Sequence, residues 1–155
     1  MLPTPEETKT RLEQQLPGVS LVLEGPVLFV DPKDLIAVCR YLKTNERFRL
    51  DYLANLTAVD FPNEQRMDVV YHLYSMQDKH GPLTLKVKLP RQEPIVASVT
   101  SIWRGAEFQE REVYDLFGVR FEGHPDLRRI LLWDGFEGHP MRKDYVPENQ
   151  NVLEQ

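Results

Sequence analysis

The sequence predicts an α+β fold in which a mixed or antiparallel sheet with flanking helices precedes a long irregular C-terminal extension. Three observations support this fold class. Helical and strand-like periods occur in mixed order along residues 1–117, neighbouring strands are close enough to form hairpins, and no sustained period follows residue 117. We therefore divide the chain into an α+β domain, residues 1–117, and an extended C-terminal arm, residues 118–155.

The first part of the domain predicts a short helix followed by a hairpin. Residues 4–16 place apolar side chains at helical spacing, and the helix should stop at Pro17 and Gly18. Two short apolar runs follow, residues 19–23 and 27–30, with a glycine and a proline between them. Two extended runs around so tight a turn indicate a hairpin.

A second helix should follow this hairpin and bury the single cysteine. Asp31 followed by Pro32 is typical of a helix start, and the helix should run to about Lys43. Because free cysteines are commonly buried, we expect Cys39 to be a core residue rather than a reactive thiol. A single cysteine also excludes an internal disulfide and multi-cysteine zinc or iron–sulfur sites. The expected apolar stripe consists of Leu35, Val38, Cys39 and Leu42.

The middle of the chain predicts the sheet. Residues 48–61 are less regular and fit either a short helix or a strand, with a connection. Residues 67–76 and 83–89 alternate apolar and polar side chains, which predicts a hairpin with one face in water, and Asp68 should lie on that face. Residues 95–99 offer a third strand.

A charged helix, residues 105–117, should end the domain, with Phe108 among the side chains available for burial. Arg111 lies four residues after Glu107 and four before Asp115, which is the spacing of ion pairs within a helix. Paired carboxylates can act as acid and base, but no nucleophile, phosphate-loop or dinucleotide motif accompanies them. We therefore interpret this segment as a solvated or partner-facing charged helix.

Composition and charge exclude several classes of protein. A hydrophobic fraction of 41% and a charged fraction of 28% are ordinary for a soluble globular protein. No apolar run approaches the length of a membrane span, and the N-terminus has no secretory signal. A net charge of −5 argues against binding of nucleic acid, and Lys86 and Lys88 are too small a basic face for a membrane-binding module.

The arm has an unusual composition for an irregular segment. Apart from a possible short strand at residues 130–133, it has no regular period, yet it is rich in aromatic side chains, methionine and arginine. These residue types are enriched in protein–protein interfaces. Composition alone fits an arm laid across another protein and an arm wrapped over its own domain equally well.

The sequence Phe-Glu-Gly-His-Pro occurs twice in the arm, at residues 121–125 and 136–140. His124 and His139, with Asp126 nearby, raise the alternative of a metal-dependent hydrolase. However, their spacing matches no common zinc pattern, and Gly-His-Pro is also typical of a tight turn. We favour the turn.

Three segments resemble the C-type, or 30-kDa-type, subunit of the proton-pumping NADH–quinone oxidoreductase, respiratory complex I. Residues 110–131, Glu-Arg-Glu-Val-Tyr-Asp-Leu-Phe-Gly-Val-Arg-Phe-Glu-Gly-His-Pro-Asp-Leu-Arg-Arg-Ile-Leu, resemble the family's signature. Residues 138–145 resemble its closing motif, with Met141 in place of the usual leucine. Residues 56–61, Leu-Thr-Ala-Val-Asp-Phe, resemble a third motif, with Phe61 in place of tyrosine.

The resemblance implies a non-catalytic, cofactor-free subunit in the hydrophilic arm of the complex, which supports the quinone-site subunit during electron transfer from NADH to quinone. FMN and iron–sulfur clusters are then expected in partner subunits. The chain would be peripheral at the cytoplasmic face of a bacterial inner membrane, held there by the complex. Related subunits occur in membrane-bound hydrogenases and in photosynthetic complexes that use ferredoxin, so the electron donor stays open.

The resemblance also turns the arm into an expected partner-binding segment. We expect paired and bidentate contacts with neighbouring subunits from charged residues of the last helix and from the arm. The expected interface residues are Glu110, Arg111, Glu112, Asp115, Arg128, Arg129, Trp133, Arg142, Lys143 and Tyr145.

Overall fold

Three helices, a five-stranded mixed sheet and a small two-stranded sheet form the computed structural model, which describes residues 1–147. The predicted α+β fold class is confirmed. Residues 148–155 of the predicted arm lie outside the described residues. The helices are α1 (Pro5–Gln15), α2 (Leu35–Thr44) and α3 (Ala106–Phe117). The strands are β1 (Leu21–Glu24), β2 (Val27–Val30), β3 (Tyr52–Phe61), β4 (Arg66–Ser75), β5 (His80–Pro90), β6 (Ile95–Ala97) and β7 (Arg120–Glu122).

Local caps set where α1 and the 3₁₀ turn before α2 begin. The Thr4 hydroxyl accepts the Glu7 backbone N–H at 3.2 Å, and the Glu7 carboxylate accepts that of Thr4 at 3.1 Å. Asp31 caps only a single 3₁₀ turn, so α2 begins three residues later than Pro32. The predicted stripe of α2 is buried, and Cys39 is a core residue as expected.

The large sheet has the strand order β1-β2-β5-β4-β3, with β2 and β5 parallel and the other neighbours antiparallel. The ambiguous segment 48–61 contains β3. Its period of two is hidden because the register shifts between Leu53 and Asn55, so that Leu53 and Leu56 both face the core.

The prediction that Asp68 lies in water is wrong. Its side chain is 1% exposed, although Lys88, its partner on β5, lies on the outer face of the sheet. Arg66 Nε donates to Asp68 Oδ1 at 3.1 Å, whereas Oδ2 is buried without a hydrogen-bond partner. Burial raises the pKa of Asp68, against the opposing charges of Arg66, Lys86 and Lys88.

The small sheet joins the arm to the domain. β7 pairs with β6 in parallel, and the Ser98 N–H donates to the Glu122 carbonyl at 2.7 Å. The sequence does not predict β7, because three residues are too short to show a period. The strand proposed at residues 130–133 is wrong; the backbone there is irregular.

Helix α3 covers the free edge of β3. Gln109 Oε1 accepts the Leu56 N–H at 2.6 Å, and Gln109 Nε2 donates to the Leu53 carbonyl at 3.4 Å. A side-chain amide thus satisfies edge groups that would otherwise attract another strand. Phe108, predicted to be available for burial, is 60% exposed because it lies on the side of α3 away from the core.

Gly118 ends α3 in the left-handed conformation, with φ +79°. A Cβ there would lie 2.7 Å from His139 Cδ2. We expect Gly118→Ala to lower the free energy of unfolding by about 1–2 kcal/mol from the backbone conformation alone, measured in urea. Gly105→Ala is the matched control, because Gly105 has φ −62° and open space around it. A Gly118→Ala variant as stable as this control would contradict the prediction.

Candidate functional site

The arm is fastened to the last turn of α3 by the fully buried carboxylate of Asp115. Oδ2 accepts three successive backbone N–H groups, from Ile130 at 3.1 Å, Leu131 at 2.8 Å and Leu132 at 2.9 Å. Oδ1 accepts Arg129 Nη1 at 2.7 Å. Three of the backbone N–H groups that the predicted strand at residues 130–133 would have used for pairing therefore bind the Asp115 side chain.

These donors decide the charge of Asp115. Burial alone would raise its pKa, but Arg129 and the three N–H groups outweigh it and hold the pKa below its usual value. Because the folded pKa is lowered, the carboxylate stabilises the fold above the unfolded value of about 4. That contribution is lost as the pH falls through the lowered folded value.

Two arginines reinforce the contact between α3 and the arm. Arg111 donates to the carbonyls of Arg128 at 3.1 Å and Arg129 at 2.9 Å. Arg129 also donates to the carbonyl of Gly138 at 2.9 Å. The expected ion pairs of Arg111 within the helix are therefore wrong, because its guanidinium is directed at backbone carbonyls of the arm.

Both Gly-His-Pro turns fold back onto α3. His124 Nδ1 accepts the Asp126 N–H at 2.9 Å, so Nε2 carries the proton and donates to the Glu107 carbonyl at 2.8 Å. His139 Nδ1 donates to the Asp115 carbonyl at 3.1 Å, and burial lowers its pKa. Between residues 1 and 147, no three His, Cys, Asp or Glu side chains are arranged to hold a metal ion. Both histidines are engaged with backbone groups of this chain, as the turn interpretation requires.

A second fastening holds the end of the arm. Arg91 binds both oxygens of the buried Asp60, through Nε at 2.6 Å and Nη2 at 2.9 Å, and reaches Asp144 at 2.8 Å. The Lys143 N–H donates to Asp60 Oδ2 at 2.9 Å. The pKa of Asp60 lies below its usual value. The hydrogen bond from Arg91 is the largest cause; burial opposes it, and the Lys143 N–H lowers the pKa further. Arg142 Nε donates to the Phe117 carbonyl at 2.7 Å.

Glu110 is the other fully buried acid of α3. Its carboxylate accepts Ser98 Oγ and the Val99 N–H, both at 2.7 Å. Burial raises the pKa of Glu110 to about 7, against these two hydrogen bonds. The same helix therefore carries one acid held charged and one that burial makes easier to protonate.

The structure divides the predicted interface residues into two groups. Glu110, Arg111 and Asp115 are buried and Arg129 is partly buried, with partners inside this chain. Tyr145 and Arg142 are also partly buried: Tyr145 stacks on Phe136 at 6.2 Å between ring centroids, and Arg142 donates to the Phe117 carbonyl. The exposed members are Glu112, Arg128, Trp133 and Lys143. Their role towards a partner stays a prediction.

Of the apolar side chains that the arm exposes, sequence reasoning selected only Trp133. Trp133 is 69% exposed and Leu131 62%. Apolar composition alone does not separate these residues from the core, because only the fastening at Asp115 fixes which way they face. The exposed large apolar residues of the arm, within the described part of the chain, are Ile130, Leu131, Trp133, Met141 and Val146. Asp60, Arg91 and Asp144 were also missed, and only Asp60 and Asp144 lie in segments that carried the resemblance.

Residues 28–151 match the family model described as respiratory-chain NADH dehydrogenase, 30 Kd subunit. The chain belongs to this family. It is 48% identical to the C-type subunit of the NADH-quinone oxidoreductase of Moorella thermoacetica, over 79% of this chain and 81% of that protein. It is 45% identical to the second C-type subunit of the corresponding enzyme of Rhizobium meliloti, over 75% of this chain but only 63% of that relative's length.

Solved structures support the same fold for this 30-kDa-subunit family member. A trypsin-resistant fragment of Nqo5, residues 1–134 of that protein, superposes with a TM-score of 0.60 at 32% identity, covering 79% of this chain and 95% of the fragment. A chain of the membrane-bound sulfane sulfur reductase, an archaeal respiratory membrane complex, gives 0.75 over 96% of this chain and 88% of its own. At 24% identity, that likeness concerns the fold alone.

Asp115→Asn tests the fastening at α3. An amide cannot hold Arg129 and three N–H groups together, so we expect faster hydrogen exchange at Ile130, Leu131 and Leu132. Breaking a buried pair on one side costs about 3–5 kcal/mol. Asp126→Asn is the control, because Asp126 and Arg128 form an exposed ion pair of small energetic value. Unchanged exchange in Asp115→Asn would show that the carboxylate does not hold the arm.

Arg91→Gln tests the fastening at the end of the arm. It leaves Asp60 buried with one backbone donor, so we expect a loss of about 3–5 kcal/mol in the free energy of unfolding. Arg120→Gln is the control, because Arg120 is exposed. Equal stability of the two variants, measured in urea, would contradict a role for Arg91.

Proposed function

We propose that this chain is a non-catalytic, cofactor-free structural subunit in the hydrophilic arm of proton-pumping NADH–quinone oxidoreductase. In this proposal it supports the quinone-site subunit and contacts cluster-bearing subunits while electrons pass from NADH to quinone. Membership of the 30-kDa-subunit family supports the assignment to this oxidoreductase. None of the helices within the described residues is long and apolar enough to cross a membrane. We propose peripheral attachment, through the complex, at the cytoplasmic face of a bacterial inner membrane.

The main support for this proposal is that the fastened arm exposes large apolar side chains. Ile130, Leu131 and Leu132 donate their N–H groups inward to Asp115, while the side chains of Leu131 and Trp133 are mostly exposed. Large exposed apolar side chains on an irregular segment are typical of a protein–protein contact. Fastening also lowers the entropy that the arm loses on binding, which strengthens association.

Charged side chains supply the polar surroundings of such an interface. Arg111 and Arg129 are engaged within the chain, so we assign them to positioning the arm. Arg128, Lys143 and Glu112 are exposed, and we assign them to contacts at the rim. The proposed interface therefore has an apolar centre and charged edges. It relies less on paired and bidentate arginine contacts than the resemblance led us to expect.

We assign FMN and the iron–sulfur clusters to partner subunits. Iron–sulfur clusters are held by thiolates, usually four. The single cysteine of this chain, Cys39, is completely buried, and burial raises the pKa of its thiol far above the usual range. Cys39 is therefore suited to core packing and not to ligation.

Affinity purification of the tagged chain from gently solubilised native membranes tests the proposal. We expect co-purification of the quinone-site and cluster-bearing subunits, identified by mass spectrometry, together with NADH–quinone reductase activity. If the same neighbours co-purify but NADH is not oxidised, the electron donor is another molecule, such as ferredoxin or hydrogen. Recovery of the chain alone would overturn the structural-subunit proposal.

Trp133→Ala and Leu131→Asp test the apolar centre. We expect each to reduce co-purification of the neighbouring subunits at least tenfold while the isolated chain unfolds at an unchanged urea concentration, because both side chains are mostly exposed. Arg128→Ala, at the rim, should weaken assembly less. Val22→Ala is the control, since Val22 is exposed on β1, far along the chain from the arm. If both arm variants assemble normally, the arm is not part of the interface.

A further inference from the structure

The carboxyl group of Glu110 is buried without a cationic partner. It accepts Ser98 Oγ and the Val99 N–H, both neutral donors, at 2.7 Å. Among residues 1–147, neither a lysine nor an arginine forms an ion pair with it. A buried ionised carboxylate without a cation is costly, whereas the neutral acid is not.

The arm forms the cover over this carboxyl group. The His124 side chain is fully buried, and its Nε2 lies 4.0 Å from Glu110 Oε2. His124 is held there by the Glu107 carbonyl at 2.8 Å and by the Asp126 N–H at 2.9 Å. Because Nδ1 accepts that N–H, His124 is neutral in this arrangement and supplies no countercharge to Glu110.

The other titratable groups near Glu110 are neutral as well. Tyr71 of β4 is fully buried, and its hydroxyl has no hydrogen-bond partner. Burial, and to a smaller extent Cys39 of α2 and Glu110 itself, raise the pKa of Tyr71 well above its usual value. Within the described part of the chain, no element packed against Glu110 therefore brings a positive charge to it.

We propose that Glu110 is a proton-binding site covered by the arm, so that docking of residues 121–126 onto α3 favours the protonated form of this carboxyl group. When the turn lifts away, water reaches the carboxyl group and favours its ionised form. The docked state then binds a proton at Glu110 more tightly than the undocked state does. Rising pH therefore weakens docking through Glu110, and falling pH strengthens it.

The raised pKa of about 7 agrees with this geometry and gives the range in which the coupling acts. An ionisable group couples to docking between its pKa values in the two states, here from about 4.5 in water to about 7 under the arm. Within that range, the docking equilibrium through Glu110 should change by up to about tenfold per pH unit. The contribution of Glu110 is isolated by comparison of matched variants.

Carbon-13 NMR titration of the Glu110 side-chain carboxyl in the full chain is the direct test. We expect a midpoint near 7 in the unchanged chain and a midpoint near the ordinary glutamate value in His124→Ala, which removes the cover. Glu110→Gln assigns the resonance. A midpoint at the ordinary value in the unchanged chain, or an unshifted midpoint in His124→Ala, would overturn the proposal.

Hydrogen exchange at the Asp126 amide, which is bonded to His124, tests the coupling to the arm. The ratio of protection in the unchanged chain to that in Glu110→Gln should fall from pH 5 to pH 7, because glutamine does not titrate. Glu112→Gln is the control, since Glu112 is an exposed carboxylate on the same helix, and its ratio should stay constant. A constant ratio for Glu110→Gln would show that proton binding and docking are independent.

Discussion

The placement of the arm depends on one carboxylate, Asp115, and on the donors gathered around it. An irregular segment has no internal partners for its N–H groups, and a buried N–H without a partner is costly. Asp115 accepts three such groups and the Arg129 guanidinium. This arrangement fixes the backbone of residues 130–132 in a single orientation. The outward direction of the neighbouring apolar side chains follows from it.

A second constraint joins parts of the chain that are far apart in sequence. Asp60 at the end of β3 and Asp144 in the arm are both bound by Arg91, which follows β5. The segments 56–61 and 138–145, which carried part of the family resemblance, therefore meet in space. They do so through Arg91, which lies outside both, and directly through the Lys143 N–H on Asp60. The arm is held at Asp115 and at Asp60, so the residues between them form a closed loop rather than a free tail.

The sequence predicts the elements that keep a regular pattern of apolar and polar residues. It does not predict the elements whose conformation depends on contacts distant in sequence. Alternation along β4 and β5 and the apolar stripe of α2 were sufficient to place those elements. β3 was ambiguous because a register shift breaks its alternation, and β7 exists only because β6 lies beside it. In the charged helix, the sequence alone does not show which of the acids Glu110, Glu112 and Asp115 are buried. Only the surrounding fold makes Glu112 exposed and the other two buried.

Helix α3 is therefore an internal connector rather than a solvated helix. One side chain, Gln109, satisfies the edge of β3; Glu110 binds the connection after β6; Arg111 and Asp115 bind the arm. The difference between its two buried acids follows from their donors. Asp115 has a guanidinium and three N–H groups, which favour the charged form, whereas Glu110 has one hydroxyl and one N–H, which do not offset its burial. Polar side chains on one helix thus hold the arm in place and make its docking sensitive to protons.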